Sequence, residues 1–81
     1  MKPNSIEIGN RVKGIISIRN ISRKELASKM KISYNTLTKK LNGKREFGNR
    51  DMIKLRDILK LDIQTCGNIF FSTEFLNEKQ K

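Results

Sequence analysis

Eighty-one residues leave room for one domain with one modest core, because so short a chain keeps much of its surface exposed after folding. Hydrophobic residues at 36% and charged residues at 32% give a globular balance, in which the core rests on Ile, Leu, Met and four Phe without any Trp. A formal net charge of +10, with no His and one Cys, excludes an intramolecular disulfide and favours a polyanionic partner, since uncompensated cations attract polyanions over a Debye length.

In chain order, the first helix starts at Asn4 or Ser5, either of which can cap it. Ile8, Val12, Ile15 and Ile16 then line one face, leaving Lys13 and Arg19 to solvent. Asn20 ends that pattern and opens a turn. Ser22 followed by Glu25 has the form of a capping box, and Ile21 with Leu26 that of a hydrophobic staple. A second helix therefore runs from Arg23 to about Met30 with Leu26, Ala27 and Met30 inward. Lys31 and Ile32 form a turn, Ser33 caps a third helix from Tyr34 to about Asn42, and Gly43 closes it, glycine being the residue best suited to a left-handed C-terminus. A basic loop, Lys44 to Gly48, leads to Asn49 as the cap of a fourth helix whose Met52, Leu55, Ile58, Leu59 and Leu61 point to the core. Asp62 caps a fifth helix, where Cys66 has staple spacing with Leu61 and reads as a small core residue. Periodicity assigns the apolar run Ile69 to Phe71 to neither helix nor strand. Ser72 with Thr73 forms one more cap, with Phe71 and Leu76 as its staple, before an end that should fray. The expectation is an all-α chain with a helix-turn-helix at 22–43 inside a domain of residues 1–71, and a C-terminal extension, 72–81.

Residues 1–50 hold thirteen Lys or Arg against three acids and residues 51–81 five against five, so the whole excess of charge accompanies the two short capped helices. Two helices joined by a tight turn have the spacing of a DNA-binding helix-turn-helix, in which the second helix enters the major groove. Ile32 and Leu37 anchor that helix from within. Ser33, Tyr34, Asn35, Thr38 and Lys39 offer hydroxyls, an amide and a cation to base edges. Tyr34 shares helical spacing with Leu37 and Leu41, so it either faces the groove or packs. For phosphates, Ser22 and Arg23 combine a helix N-terminus with a cation, while Asn42, Lys44 and Arg45 follow the recognition helix. Phe47, Phe70, Phe71 and Phe75 read as buried residues rather than stacking platforms for single strands, since three of them lie outside the basic part.

The stretch ISRKELASKMKISYNTLTKKLNG, residues 21–43, resembles the lambda repressor-like family that includes phage Cro and Xre-type regulators. The resemblance extends over roughly residues 6–71. It rests on Ser22, Glu25, Leu26, Ala27, Ile32, Ser33, Thr36, Leu37, Asn42 and Gly43, with MIKLRDILKL as a fourth helix. The ending NIFFSTEFLNEKQ is similar to that of small regulators from phages of Gram-positive bacteria. The resemblance implies a five-helix domain that binds operator DNA, usually as a dimer. The chain departs from it at Lys31 and Lys60, where such proteins commonly carry Gly, and at Arg23 and Tyr34, where they often carry Gln.

The function expected is thus a sequence-specific regulator of transcription on double-stranded DNA, acting as a homodimer. The alternative is a protein-interaction module on the same fold, an antitoxin or a modulator of a repressor, which has no need of cations gathered around helices two and three. An RNA partner fits less well, because a helix cannot read the narrow major groove of A-form RNA. An enzyme is not expected: the sequence lacks His, metal-ligand spacing, a glycine-rich phosphate loop and paired carboxylates on a helix face of the basic part, and so implies no catalytic residue, metal or cofactor. The single Cys and the lack of a charged start followed by an apolar run lead to the expectation of a cytoplasmic location away from membranes.

Overall fold

The N-terminal halves of the helices are fixed by short side chains that take the place of missing carbonyl partners. The computed structural model describes residues 3–72, which form α1 (Ser5–Ile18), α2 (Arg23–Met30), α3 (Tyr34–Leu41), α4 (Asn49–Leu59) and α5 (Ile63–Phe70), with no strand among the described residues. Asn4 caps α1 reciprocally with Glu7, at 2.8 Å from Oδ1 to the Glu7 amide and 3.0 Å from the Asn4 amide to Oε1. Ser22 accepts from the Glu25 amide at 3.0 Å, but Glu25 turns its carboxylate to Lys29, 3.6 Å away, so only half of the expected box forms. Helix α4 is capped differently from the sequence reading: Gly48 takes the cap position and Asn49 is already helical. Asp51 supplies the acceptor, reaching back to the Gly48 amide at 2.9 Å. The run Ile69 to Phe71 resolves as the end of α5 and its C-cap. Thr73, Phe75, Leu76 and the fraying end expected of the extension lie outside the described residues.

At their C-termini, α1, α2, α3 and α4 all end in the same way. Asn20, Lys31, Gly43 and Lys60 adopt φ of 57°, 60°, 80° and 53°. The amide that follows each of them returns to the carbonyl five residues back: Ile21 to Ile16, Ile32 to Ala27, Lys44 to Lys39 and Leu61 to Arg56, between 2.9 and 3.1 Å. Lys31 and Lys60 hold this conformation at a cost of about 1 kcal/mol each for a side chain in the left-handed region.

Helix α3 is seated between α1 and α2, while α2 also meets α4, and α5 closes the bundle against α1 and α4. Val12, Leu26, Met30, Leu37, Leu41, Leu55, Leu59, Ile69 and Phe70 are sealed at the centre, and Phe47 packs edge-on against Phe70 with ring centroids 6.2 Å apart. Phe71, by contrast, is half exposed. Gly9 lets α1 press against the end of α3: a Cβ there would lie 2.1 Å from the Leu41 carbonyl oxygen. Three cations also work as struts. The half-buried Lys54 donates to the Met30 carbonyl at the end of α2, 2.9 Å away. Arg11 reaches the end of α5 with its guanidinium, and Lys40 is paired with Asp51.

Asp62 caps α5 as expected, accepting from the Thr65 amide at 2.7 Å. The Thr65 hydroxyl, then its amide, hold the Asp62 carboxyl below its ordinary value of 3.8, against the opposing pull of desolvation. The folded state therefore binds this proton less readily than the unfolded chain, so the cap's contribution is fully present above 3.8 and is lost as pH falls through the lowered value. The thermal midpoint of Asp62→Ala is expected to lie below that of the native chain at neutral pH, with the two converging in acid. A gap that stayed constant well below 3.8 would contradict this.

Candidate nucleic-acid interface

Helix α3 has two sides because a 3.6-residue repeat places Leu37 and Leu41 on one of them and Asn35 and Lys39 on the other. The first pair is fully buried and the second exposed, so Asn35 and Lys39 form a polar ridge one helical turn long. Tyr34 resolves its two alternatives in favour of the surface: its side chain is 47% exposed at the leading end of the ridge.

Two further sequence candidates sit less openly. Ser33 accepts from the Thr36 amide at 3.0 Å and donates to the Thr36 hydroxyl at 2.8 Å, so much of its hydrogen-bonding capacity is engaged within the cap. Thr38 is half-buried, and its Oγ1 is enclosed without a hydrogen-bond partner.

Cations also lie at the start of α2 and just past the end of α3. On one side, Ser22 is exposed at the start of α2, and Arg23 borders a cleft of about 230 Å³ shared with Lys13, Ile16, Ser17 and Ile21. On the other side, Asn42, Lys44 and Arg45 are exposed just past α3. The Lys44 and Arg45 amides both converge on the Lys39 carbonyl, at 2.9 and 3.3 Å, which folds this basic loop directly beneath the ridge. Lys13 links the two sides. Expected in solvent, it is half-buried, lines the Arg23 cleft and donates to Asn42 Oδ1 at 3.4 Å. Its place on α1 gave no local sign of this, because the contact depends on how α1 crosses α3.

The structure also shows an ion pair beside the ridge that sequence reasoning missed. Lys40, adjacent to the ridge residue Lys39, turns inward to Asp51 at the start of α4; their side chains are 12% and 11% exposed. The one available hint was an acid in the first turn of α4, a position from which carboxylates reach back to a helix start.

Three features converge here: an exposed polar helix, a helix N-terminus with a cation to one side, and a basic loop to the other. Hydroxyls, amides and cations of these kinds are the groups that meet base edges and phosphates. Among the described residues, no helix is long and apolar enough to cross a membrane.

Residues 11–65 match the family model of the Cro/C1-type HTH DNA-binding domain. Among solved structures, the chain is similar to the restriction-modification controller protein C.AhdI from Aeromonas hydrophila, with 18% sequence identity and a TM-score of 0.66 over 70% of this chain and 86% of that one, a likeness of fold. No curated protein matches the sequence.

Proposed function

The chain belongs to the Cro/C1-type HTH DNA-binding domain family, and from that premise we propose that it is a sequence-specific regulator of transcription that lays α3 in the major groove of duplex DNA. The family is defined by DNA binding rather than by catalysis. The observation that carries the reading is the exposed ridge of Asn35 and Lys39, with the exposed Lys44 and Arg45 tied to it through the Lys39 carbonyl. In this arrangement Asn35, Lys39 and Tyr34 read bases, whereas Ser33 is engaged in its cap and the enclosed Thr38 hydroxyl is not presented to a base edge. Ser22, Arg23, Asn42, Lys44 and Arg45 hold phosphates. The chain acts as a homodimer on a two-fold site, since one short helix spans few base pairs.

Two substitutions separate reading from holding. Lys39→Ala is expected to weaken binding to the preferred duplex by about 1 to 3 kcal/mol while leaving random duplex nearly unaffected. Lys44→Ala should weaken both alike and lower the slope of log K against log salt by about one. The measurement is a gel-shift titration on DNA upstream of the protein's own gene against random duplex, at two salt concentrations. Equal losses on the two duplexes for Lys39→Ala would end its role as a reader. Indifference to sequence by the native chain, combined with tight binding to a partner protein, would favour the antitoxin or modulator alternative.

A further inference from the structure

Helices α3 and α4 are joined by residues 42–48 and, across that loop, by one largely buried ion pair. Lys40 presents its ammonium to the Asp51 carboxylate, which also accepts from the Gly48 amide at 2.9 Å. The buried ring of Phe47 lies 6.0 Å from the same ammonium, from its centroid. Asp51 is the only buried acid among the described residues. The loop is therefore held at both ends: the Lys39 carbonyl gathers the Lys44 and Arg45 amides at its start, and Asp51 gathers Lys40 and Gly48 at its finish.

A buried pair of this kind is weak evidence for stability, because desolvating two charges offsets most of their attraction and apolar residues of similar volume do as well. What it adds is direction, since one ammonium meets one carboxylate in one geometry. Lys40 and Lys39 are neighbours that point to different sides of the same helix. The Lys40 anchor thus fixes the rotation of α3 about its own axis and the stance of the loop below it.

We infer that Lys40 and Asp51 are positioning residues for DNA binding. They hold the loop carrying Lys44 and Arg45 in register with the ridge of Asn35 and Lys39, so that phosphate contacts and base contacts fall on the same duplex. Neither touches DNA. The inference rests on the function proposed above.

The test uses the full chain with Lys40→Met and Asp51→Asn combined. Methionine keeps the length of the stem, asparagine keeps an acceptor for the Gly48 amide, and the formal charge stays at +10, so long-range attraction to DNA is unchanged. Thermal midpoints are followed by circular dichroism, and affinities by fluorescence anisotropy over a salt series, on a duplex selected by the native protein and at a temperature where each variant is folded. The midpoint is expected to move little, affinity to fall roughly tenfold, and the salt slope to lose about one to two ions. A merely structural role would not move the slope of the folded protein. Asp51→Asn alone is the second arm: it raises the net charge, so attraction by charge alone makes binding tighter, whereas loss of positioning makes it weaker. Native affinity and slope in the double variant, or tighter binding by Asp51→Asn, would overturn the inference. A native chain without salt-dependent duplex binding would instead overturn the proposed function.

Discussion

Replacing Gly9 by alanine is expected to destabilise the domain by roughly 3 kcal/mol or more, against the usual rule that alanine improves a helix interior by up to about 1 kcal/mol. The new Cβ would lie 2.1 Å from the Leu41 carbonyl oxygen and 2.7 Å from its carbon, both main-chain atoms of α3 that cannot swing aside as a side chain can. Relief requires α1 and α3 to part, which opens the core around Val12, Leu37 and Leu41. For a small domain with total stability of about 5 kcal/mol or a little more, that is a large share. Gly14 supplies the control on the same helix, because nothing lies within 4 Å of its added Cβ. Gly14→Ala should therefore gain the ordinary helix increment of up to about 1 kcal/mol. Urea denaturation of the two variants decides the matter; a Gly9→Ala protein at least as stable as the native one would show that the helix crossing is not fixed by this contact.

Arg11→Met should cost about 2 to 4 kcal/mol, with α5 the first element to loosen. The Arg11 guanidinium, on a residue only 9% exposed, donates from Nη1 to the carbonyls of Asn68, Ile69 and Ser72 at 2.9, 3.2 and 2.7 Å. The first two are among the last carbonyls of α5, which have no partner inside the helix. A cation at that end also complements the helix dipole. Methionine fills the space of the stem but donates nothing, so the Asn68 and Ile69 carbonyls lose this donor. Hydrogen exchange should then show the amides of residues 63–70 opening before those of α2 and α3. Unchanged protection in α5 would show that the guanidinium is not what holds it.

The elements most legible in the sequence were those with local causes. Helix α2 runs from Arg23 to Met30 as expected, and α3 begins at Tyr34 and is closed by Gly43, because caps and staples act within a few residues of themselves. The inward positions of α4 and the cap at Asp62 were readable for the same reason. Three features carried no local signal in the sequence: the inward guanidinium of Arg11, the Lys40 pairing and the close approach at Gly9. Each acquires its role from a residue far along the chain, at α5, α4 or α3, and no spacing rule links them until the crossing of the helices is known. The cap of α4 failed more narrowly. Asn49 was the expected start, but Gly48 takes the cap position because the Asp51 carboxylate reaches back to its amide while also meeting Lys40. At the candidate interface, pattern located the exposed ridge and the cap that engages Ser33, but the enclosure of the Thr38 hydroxyl depends on a rotamer that spacing does not record.

If α3 reads DNA as proposed above, its shortness sets a limit on what a single copy can specify. Eight residues at about 1.5 Å each span about 12 Å, the rise of three or four base pairs. A word of four letters has about 256 spellings, so on statistical grounds it recurs every few hundred base pairs and marks no unique address in a genome. A mirrored second word multiplies the vocabulary instead of merely adding to it. A lone protomer's helix is in this sense a syllable, and an unambiguous message needs at least two.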